Sequence, residues 1–365
     1  MIYRAIGLMS GSSLDGLDIA FAEFQENGGR WGYQILAADC YPYPVEWTTR
    51  LKGTIHLSAK DYLLLHTAYG HYLGEQVNRF IEAHQLEYKV GLVASHGHTT
   101  FHLPAQQMTG QLGDGAAIAA KTGLPVVTDL RAMDVALGGQ GAPIVPVGEK
   151  FLLGEFDYFL NIGGIANISV NNDPCIAFDI CPANRVLNML ANDAGKEYDE
   201  NGKMAASGSV NSALLEKLNA LDYYKEPYPK SLANDFGTDI VYPVIKETGI
   251  STADALGTHC EHISFQISKA IFSLGNNKPG TPNPKLLVTG GGAFNTFLIE
   301  LLREKLGKLN IDVVVPDKNL VNFKEALIMA FIGVLRWRQE NNVLATVTGA
   351  MRDSIGGAVW IGQEA

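Results

Sequence analysis

The sequence lacks several features that would place it in a membrane, outside the cell or on nucleic acid. No apolar run approaches the ~18 residues of a transmembrane helix, and no basic leader with a cleavage site opens the chain. Its four cysteines, among 365 residues, show neither the close pairing of a zinc site nor the density of a disulfide scaffold. The formal net charge is −10, and the Lys and Arg residues are scattered rather than clustered. We therefore expect a cytoplasmic protein with reduced, mostly buried thiols and with neither a nucleic acid nor a membrane as partner.

The length and the order of apolar segments predict two related lobes. A chain of 365 residues exceeds what one hydrophobic core comfortably holds. Three strand-like runs separated by turns open the sequence, and the same layout begins again near Tyr158, so residues 3–24 and 158–179 form a weak internal repeat. We predict an α/β fold with two actin-like or hexokinase-like lobes and a nucleotide cleft between them. The expected lobes are residues 1–135 and 136–365, and the last ~20 residues are a candidate segment for packing back onto the first lobe.

Apolar periodicity and turn residues predict the individual elements. The strands are expected at 3–8, 17–24, 31–40, 90–94, 124–127, 158–162, 166–170, 175–178, 285–289 and 311–315. The helices are expected at 60–84, 113–122, 251–272, 295–306 and 323–338. Leu64 and Tyr69 are expected on the buried face of the first helix, and Ser251 with Asp254 has capping-box spacing.

Three glycine-rich turns follow predicted strands and are candidate nucleotide contacts. Glycines let a backbone approach an anion closely, hydroxyl groups donate to phosphate oxygens, and a carboxylate can hold Mg²⁺. An ordinary hairpin turn or a helix cap explains each turn equally well when it is taken alone. Because strand ends are where α/β sheets bind ligands, the three turns together favour a nucleotide site. The candidate residues are Gly11, Ser12, Ser13, Asp15, Gly16, Asp18, Gly163, Gly164, Gly290, Gly291 and Gly292.

Histidines cluster in the loop after the strand at 90–94. His96, His98 and His102 invite a metal hypothesis, but no Cys or carboxylate completes a recognisable ligand spacing, so we assign no metal-binding residues. We expect His96, His98 and Thr99 to hydrogen-bond a sugar or a phosphate instead. His259 and His262 lie one helical turn apart and are expected to be surface or packing residues.

Three charged residues stand where a cleft would need them. Arg131 offers a forked donor for a sugar oxygen or carboxylate, although a structural salt bridge is an equal alternative. Asp179 follows an apolar strand, so it could take a proton from an attacking oxygen or merely cap the next helix. Glu325 is expected in a first helical turn, where the helix dipole alone would stabilise it.

Taken together, these motifs resemble the anhydro-N-acetylmuramic acid kinase family from end to end. The resemblance rests on five segments: Gly-Leu-Met-Ser-Gly-Ser-Ser-Leu-Asp-Gly from Gly7, Ser-His-Gly-His-Thr from Ser95, Gly-Gly-Gln-Gly-Ala-Pro from Gly138, Asn-Ile-Gly-Gly-Ile-Ala-Asn from Asn161, and Thr-Gly-Gly-Gly-Ala from Thr289. It implies a fold of the acetate and sugar kinase, heat-shock and actin superfamily. It also implies ATP- and Mg²⁺-dependent opening of the 1,6-anhydro ring by water, with phosphorylation at O6, in cell-wall (peptidoglycan) recycling.

The family's residue roles carry over where the letters match. The resemblance assigns the phosphate-binding turn to residues 11–18, sugar contacts to Arg131 and Glu325, and activation of the water to Asp179. Ser12 replaces the usual Thr, and His98 replaces the usual Gln. The usual Asp-Thr-Gly-Pro-Gly-Asn is Asp-Ile-Cys-Pro-Ala-Asn from Asp179.

Three alternatives remain open from the sequence. A kinase for another sugar or anhydro-sugar would share the same motifs, and a non-catalytic nucleotide-binding regulatory module would need the glycine turns but not both Asp179 and Glu325. A metallohydrolase would use His96, His98 and His102. The sequence leaves a homodimer open as well.

Overall fold

The computed structural model describes residues 1–11, 14–170, 176–228, 230–233, 235–275 and 283–363. Ser12 and Ser13, both expected at the first glycine turn, and Cys175 lie outside this part of the chain. The chain divides into two compact units, with residues 1–153 and 323–365 in the first and residues 154–322 in the second.

The first unit is built on one mixed sheet and a separate hairpin. Its strands are β1 (Ile2–Ser10), β2 (Gly16–Asn27), β3 (Arg30–Pro42), β4 (Leu92–Ser95), β5 (His98–Leu103), β6 (Met108–Leu112), β7 (Val126–Thr128) and β13 (Ala358–Trp360). The sheet has the order β13-β7-β4-β1-β2-β3. In it, β1, β2 and β3 form an antiparallel meander, and β4 and β7 continue parallel to β1. The antiparallel hairpin β5–β6 follows β4.

Helices flank this sheet and bury its two faces. They are α1 (Val45–Lys52), α2 (Ala59–Ala83), α3 (Gly115–Thr122), α4 (Ala132–Ala136), α5 (Pro146–Leu152), α12 (Lys318–Trp337), which enters this unit at Phe323, and α13 (Ala345–Thr348). Tyr69 of α2 is fully buried, as its spacing predicts, whereas Leu64 is 60% exposed, so its predicted place on the buried face is wrong. Gly7 of β1 lies against the backbone of α12, where an added Cβ would fall 2.6 Å from Ala330 N.

The second unit repeats the core topology of the first. Its sheet has the order β10-β9-β8-β11-β12, again with an antiparallel meander followed by two parallel strands. This shared order bears out the two related lobes expected from the repeated layout. The strands are β8 (Tyr158–Ile162), β9 (Ile165–Val170), β10 (Ile176–Pro182), β11 (Lys285–Thr289) and β12 (Asp312–Val314).

Helix α10 (Thr252–Leu274) packs against β10 of the second sheet and against several helices of this unit. Its N-cap is Ser251, whose hydroxyl accepts a hydrogen bond from the Asp254 N–H, so the capping-box prediction is confirmed. His259 and His262 are both fully buried in this helix. The helices of this unit are α6 (Asn184–Asp193), α7 (Lys203–Ser207), α8 (Ser212–Asn219), α9 (Tyr242–Lys246), α10 (Thr252–Leu274) and α11 (Thr296–Gly307).

The division of the chain differs from the boundary suggested by sequence. Residues 136–153 belong to the first unit, where α5 carries Glu149, and the buried carboxylate of Glu149 lies 2.7 Å from Lys324 Nζ. The returning segment begins at Phe323 rather than in the last ~20 residues, because α12 packs along the first sheet. Within α12, Phe323 has the non-helical angles φ −118° and ψ 15°. Glu325 therefore follows this interruption and is not in the first turn of α12, which begins at Lys318.

The described helices include none that is long and apolar enough to cross a membrane.

Candidate active site

Asp179 lies in β10, at a register shift that separates it from Cys181. Its Oδ2 accepts a hydrogen bond from the Leu232 N–H at 2.9 Å, and its own N–H donates to Lys230 O at 3.2 Å. The Tyr223 hydroxyl donates to Asp179 O at 2.6 Å. Burial raises the pKa of the Asp179 carboxyl, and the Leu232 N–H partly offsets that rise. Asp179 is thus a half-buried carboxylate whose orientation is fixed by backbone atoms.

Asp179 does not cap the following helix. Ala183 is the N-cap of α6, and no side chain caps that end. Asn184 instead donates from its side chain to Ile162 O at 3.0 Å, which ties the start of α6 to the end of β8. Among the described residues, Leu232 is the one donor to the Asp179 carboxylate. The other carboxylate oxygen therefore remains able to accept a proton.

A cavity of about 590 Å³ lies beside the third glycine turn of the second unit. This volume falls within the range of ordinary small-molecule sites. Two partly exposed aromatic residues, Tyr198 and Phe294, give it flat apolar surfaces on which a base could stack. Its lining residues are Asn184, Leu187, Asn188, Tyr198, Asp199, Glu200, Asn201, Gly291, Gly292, Phe294, Asn295, Lys318 and Asn322.

The glycines of the second unit differ in what requires them. Gly290 has φ +80°, and a Cβ on Gly292 would fall 2.2 Å from Ile162 Cγ2, so internal conformation and packing account for these two. Gly163, Gly164 and Gly291 have no positive φ, and an added Cβ at each would make its nearest contact at 3.5 or 3.6 Å. Among the described residues, no contact demands glycine at these three positions. Their backbone therefore leaves room for a ligand to approach closely.

Arg131 in the first unit is held by two acceptors. Its Nε donates to His96 Nε2 at 2.8 Å, and its Nη1 donates to Gly141 O at 2.5 Å. Burial lowers the Arg131 pKa to about 10, an effect opposed by the negative charges of Glu325 and Asp134. Two of the three guanidinium nitrogens are therefore engaged, and Glu325 lies near enough to act on the charge of the group.

His96 and His98 support this region in different ways. Because Arg131 Nε donates to His96 Nε2, the proton of neutral His96 must sit on Nδ1, which lies 2.9 Å from Gly97 O. Burial lowers the His96 pKa to about 3 and keeps the ring neutral. His98 Nδ1 lies 3.1 Å from Ser10 Oγ, and burial lowers the His98 pKa as well.

Two tyrosines extend the contact of His98 into a hydroxyl chain that the sequence did not indicate. The Tyr43 hydroxyl donates to Ser10 Oγ at 2.8 Å, and it lies 2.6 Å from the Tyr69 hydroxyl. The hydroxyl groups of Tyr69, Tyr43 and Ser10 therefore form a connected chain that ends at His98 Nδ1. No local pattern could have found this chain, because Tyr43 is 33 residues from Ser10.

The three histidines of this loop do not converge on one point. His102 Nδ1 pairs with Thr109 Oγ1 at 3.0 Å, while His96 is bound to Arg131 and His98 to Ser10. Across the described ranges, no group of three or more His, Cys, Asp or Glu side chains is arranged to hold a metal ion. The metallohydrolase alternative therefore has no geometric support. Thr99 lies in β5, where Gln111 Nε2 is 3.5 Å from its hydroxyl.

Negative charge collects where the first glycine turn enters β2. Burial raises the Asp18 pKa to about 6, and the charges of Glu325 and Asp15 add to the rise, although the Cys40 thiol donates to Asp18 and lowers it. Packing by itself accounts for the glycine at position 16, because an added Cβ would fall 2.7 Å from Cys40 Sγ. Gly11 accepts a backbone hydrogen bond from Leu14 at 3.3 Å.

Comparison with known proteins identifies the family. The model of the anhydro-N-acetylmuramic acid kinase family matches residues 3–362. The chain belongs to the anhydro-N-acetylmuramic acid kinase family. Among the curated members of that family, the chain is 31% identical to the kinase of a Sulfurovum species, over 98% of this chain and 99% of that protein. It is 34% identical to the kinase of Photobacterium profundum, over 98% of this chain and 99% of that protein.

Solved structures with a partly similar fold are more distant. Component A of (R)-2-hydroxyglutaryl-CoA dehydratase from Acidaminococcus fermentans has a TM-score of 0.46 at 13% identity, covering 91% of this chain and 97% of that one. Hexokinase from Schistosoma mansoni has a TM-score of 0.39 at 12% identity, covering 90% and 85%. Values this low do not assign the fold, which rests on the strand order of the two sheets.

Proposed function

We propose that this chain is an ATP-dependent kinase of cell-wall recycling. It would open the 1,6-anhydro ring of anhydro-N-acetylmuramic acid with water and phosphorylate O6, giving N-acetylmuramic acid 6-phosphate. Membership in the family supports the substrate. The observation that carries the mechanism is the Asp179 carboxylate, which is half-buried and oriented by the Leu232 N–H at 2.9 Å while its second oxygen remains available.

The proposed chemistry needs a base for water and a nucleophile for phosphorus. Asp179 would take a proton from water as the water oxygen bonds to C1 of the sugar. The bond from C1 to O6 breaks, and O6 then attacks the γ-phosphorus of ATP, so that ADP leaves. A raised pKa suits this role because it makes the carboxylate a stronger base than an exposed Asp.

In the second unit, the cavity beside Gly291 is the proposed adenosine site. The cavity has a volume of about 590 Å³ and two aromatic residues in its lining, which fit a nucleotide base. Packing does not require glycine at Gly163, Gly164 or Gly291, which fits phosphates that lie against the backbone. These features support ATP as the phosphoryl donor.

In the first unit, Arg131 and Glu325 are the proposed sugar contacts. Arg131 Nη2, which has no acceptor among the described hydrogen bonds, can donate to a sugar oxygen or carboxylate. His96, His98 and Thr99 would complete the polar surface of this site. Both acceptors that hold Arg131 are neutral, so neither of them cancels its positive charge.

The carboxylates at the first turn fit Mg²⁺. Asp18 carries a pKa of about 6 because it is buried near Glu325 and Asp15, and a divalent cation would relieve that concentration of negative charge. Asp15 and Asp18 would hold the ion, directly or through water, and the ion would neutralise phosphate charge.

The proposal is tested by the fate of water oxygen. The protein is incubated with ATP, Mg²⁺ and anhydro-N-acetylmuramic acid in ¹⁸O water, and the product is quenched quickly and weighed by mass spectrometry. We expect a phosphorylated sugar that contains one ¹⁸O in the sugar and none in the phosphate. Parallel reactions use N-acetylmuramic acid and other anhydro-sugars as acceptors. A product from one of these sugars alone would point to another acceptor, and the absence of a phosphorylated sugar in every reaction would disprove the kinase activity.

A further inference from the structure

A second cavity in the second unit lies beside β10, the strand that holds Asp179. It has a volume of about 340 Å³ and is lined in part by Phe178 and Ile180, the two neighbours of Asp179 in that strand. It shares no lining residue with the cavity beside Gly291. The proposed function assigns this cavity no role.

One wall of the cavity is a single face of α10. Gln266, Lys269, Ala270 and Ser273 follow the spacing of three, four and seven residues that places side chains on one side of a helix. The ammonium of Lys269 donates to Tyr224 O at 3.2 Å. The cation that this face adds to the cavity lining, Lys269, has no carboxylate partner among the described ion pairs.

Most of the remaining lining comes from residues 225–228 and 230, which follow Tyr224 in the chain. Phe178 and Tyr228 stack with their ring centroids 5.4 Å apart and their planes 11° from parallel, and Tyr228 is 40% exposed. Lys230 also lines the cavity, where burial lowers its pKa and the charge of Lys269 adds to that effect. The lining contains one acidic residue, Glu226, and three lysines, Lys225, Lys230 and Lys269, so its net charge is positive.

Cations beside an exposed aromatic face are the features that recognise a phosphorylated ring. The ammonium groups would pair with the phosphate, and the ring would stack on Tyr228. The volume falls at the small end of ordinary ligand pockets, which suits a monosaccharide or a similar ring carrying one phosphate.

The same segment holds the proposed catalytic carboxylate. Lys230 O accepts from the Asp179 N–H, and the Leu232 N–H donates to Asp179 Oδ2. The ammonium of Lys230 donates to Tyr223 O at 2.9 Å, and the Tyr223 hydroxyl donates to Asp179 O at 2.6 Å. A phosphate that draws Lys230 away from Tyr223 would thus act on both supports of Asp179.

We propose that this cavity is a regulatory site for a small phosphorylated ring compound, and that its occupancy changes turnover through the segment from Lys230 to Leu232. The binding step stands apart from the proposed function. The effect on turnover rests on that function, because it requires Asp179 to act in the reaction.

Binding is tested by calorimetry on the full chain with N-acetylglucosamine 6-phosphate, adenosine monophosphate and inorganic phosphate as separate probes. A saturable site is expected for at least one ring phosphate. Ser273→Trp, which fills the cavity from an exposed position, and Lys269→Met, which removes a cation, should each weaken that site at least tenfold. Lys308→Met is the matched control, because Lys308 is an exposed lysine that follows α11 in the same unit, and it should leave the site unchanged.

Several results would overturn the inference. Binding that is equal for inorganic phosphate and the ring phosphates would remove the role of Tyr228, and binding untouched by both cavity variants would place the ligand elsewhere. The occupied site should also change the turnover of the wild type at saturating substrates and leave the turnover of Ser273→Trp unchanged. If binding behaves as expected but turnover does not respond, the coupling to Asp179 is wrong; if no substrate is turned over at all, the proposed function fails while the binding result stands.

Discussion

Replacing Asp179 by Asn separates the chemistry of this residue from its structural contacts. Asn retains a side-chain oxygen that can accept from the Leu232 N–H, so the hydrogen bond of 2.9 Å has a replacement acceptor. The backbone contacts with Lys230 and Tyr223 do not involve the side chain. The free energy of unfolding should therefore change by less than about 1 kcal/mol. What is lost is the ability to take a proton from water.

The expected loss of turnover follows from that difference. General bases contribute about 10²–10⁴ in rate, which corresponds to about 3–5 kcal/mol of the activation barrier. Turnover of Asp179→Asn should fall by this factor, while the dissociation constants for ATP and the sugar change little. In the wild type, the acidic limb of turnover against pH should have its midpoint above 3.8, the ordinary value for Asp, because burial raises this pKa. The variant should lack that limb.

The assay measures turnover, ligand affinity and thermal unfolding on the same preparation. Asp193→Asn is the control, since Asp193 is a carboxylate of the same unit whose partners are Lys246 and Tyr242. Residual turnover above about a tenth of the wild type would refute the role of Asp179 as the base and make Glu325 the next candidate. Loss of ligand binding together with easier unfolding would instead show a structural role.

Three further predictions concern the other proposed contacts. Gly291→Ala should weaken ATP binding at nearly unchanged stability, whereas Gly292→Ala should lower the free energy of unfolding by about 1–3 kcal/mol because its Cβ has no room. Calorimetry measures ATP binding and denaturant unfolding measures stability, and equal losses of stability in the two variants would contradict this prediction. Asp18 binds a proton more readily in the folded state, so the free energy of unfolding falls as pH rises from about 4 to about 6. At pH 7 the Asp18→Asn variant should therefore be more stable than the wild type by about 1–3 kcal/mol and melt at a higher temperature, yet lose activity with Mg²⁺; a lower melting temperature would refute this. His96→Leu deprives Arg131 of an acceptor and should raise the KM for the sugar about tenfold or more with little change in the KM for ATP, with His96→Gln restoring part of the loss.

Elements with a local signal were predicted well from the sequence. The capping box at Ser251 located α10 to within two residues at each end, and the three opening strands were found because turns bound each apolar run. The hairpin β5–β6 was missed, since His98–Leu103 is largely polar and is only partly buried on the surface of the first unit. The start of α12 was placed five residues late, at Phe323, where the helix is interrupted rather than begun.

The contacts within the candidate site were less predictable because they join distant parts of the chain. Arg131 is 35 residues from His96, and Leu232 is 53 residues from Asp179. Sequence patterns report local periodicity and turn chemistry, so they can nominate a residue such as Arg131 but cannot name its partner. Only the folded chain shows that His96 supports an arginine rather than a metal.

The altered residues after Asp179 can be understood from how that carboxylate is held. Ile180 and Cys181 replace a hydroxyl residue and a glycine of the usual family motif, and both are buried in the core of the second unit. Their apolar side chains stabilise β10 by packing, while the contacts that orient Asp179 come from the backbone of Lys230 and Leu232. A backbone donor is present whatever side chains stand beside the carboxylate. The Asp179 carboxylate can therefore keep its orientation although its neighbours in sequence have changed.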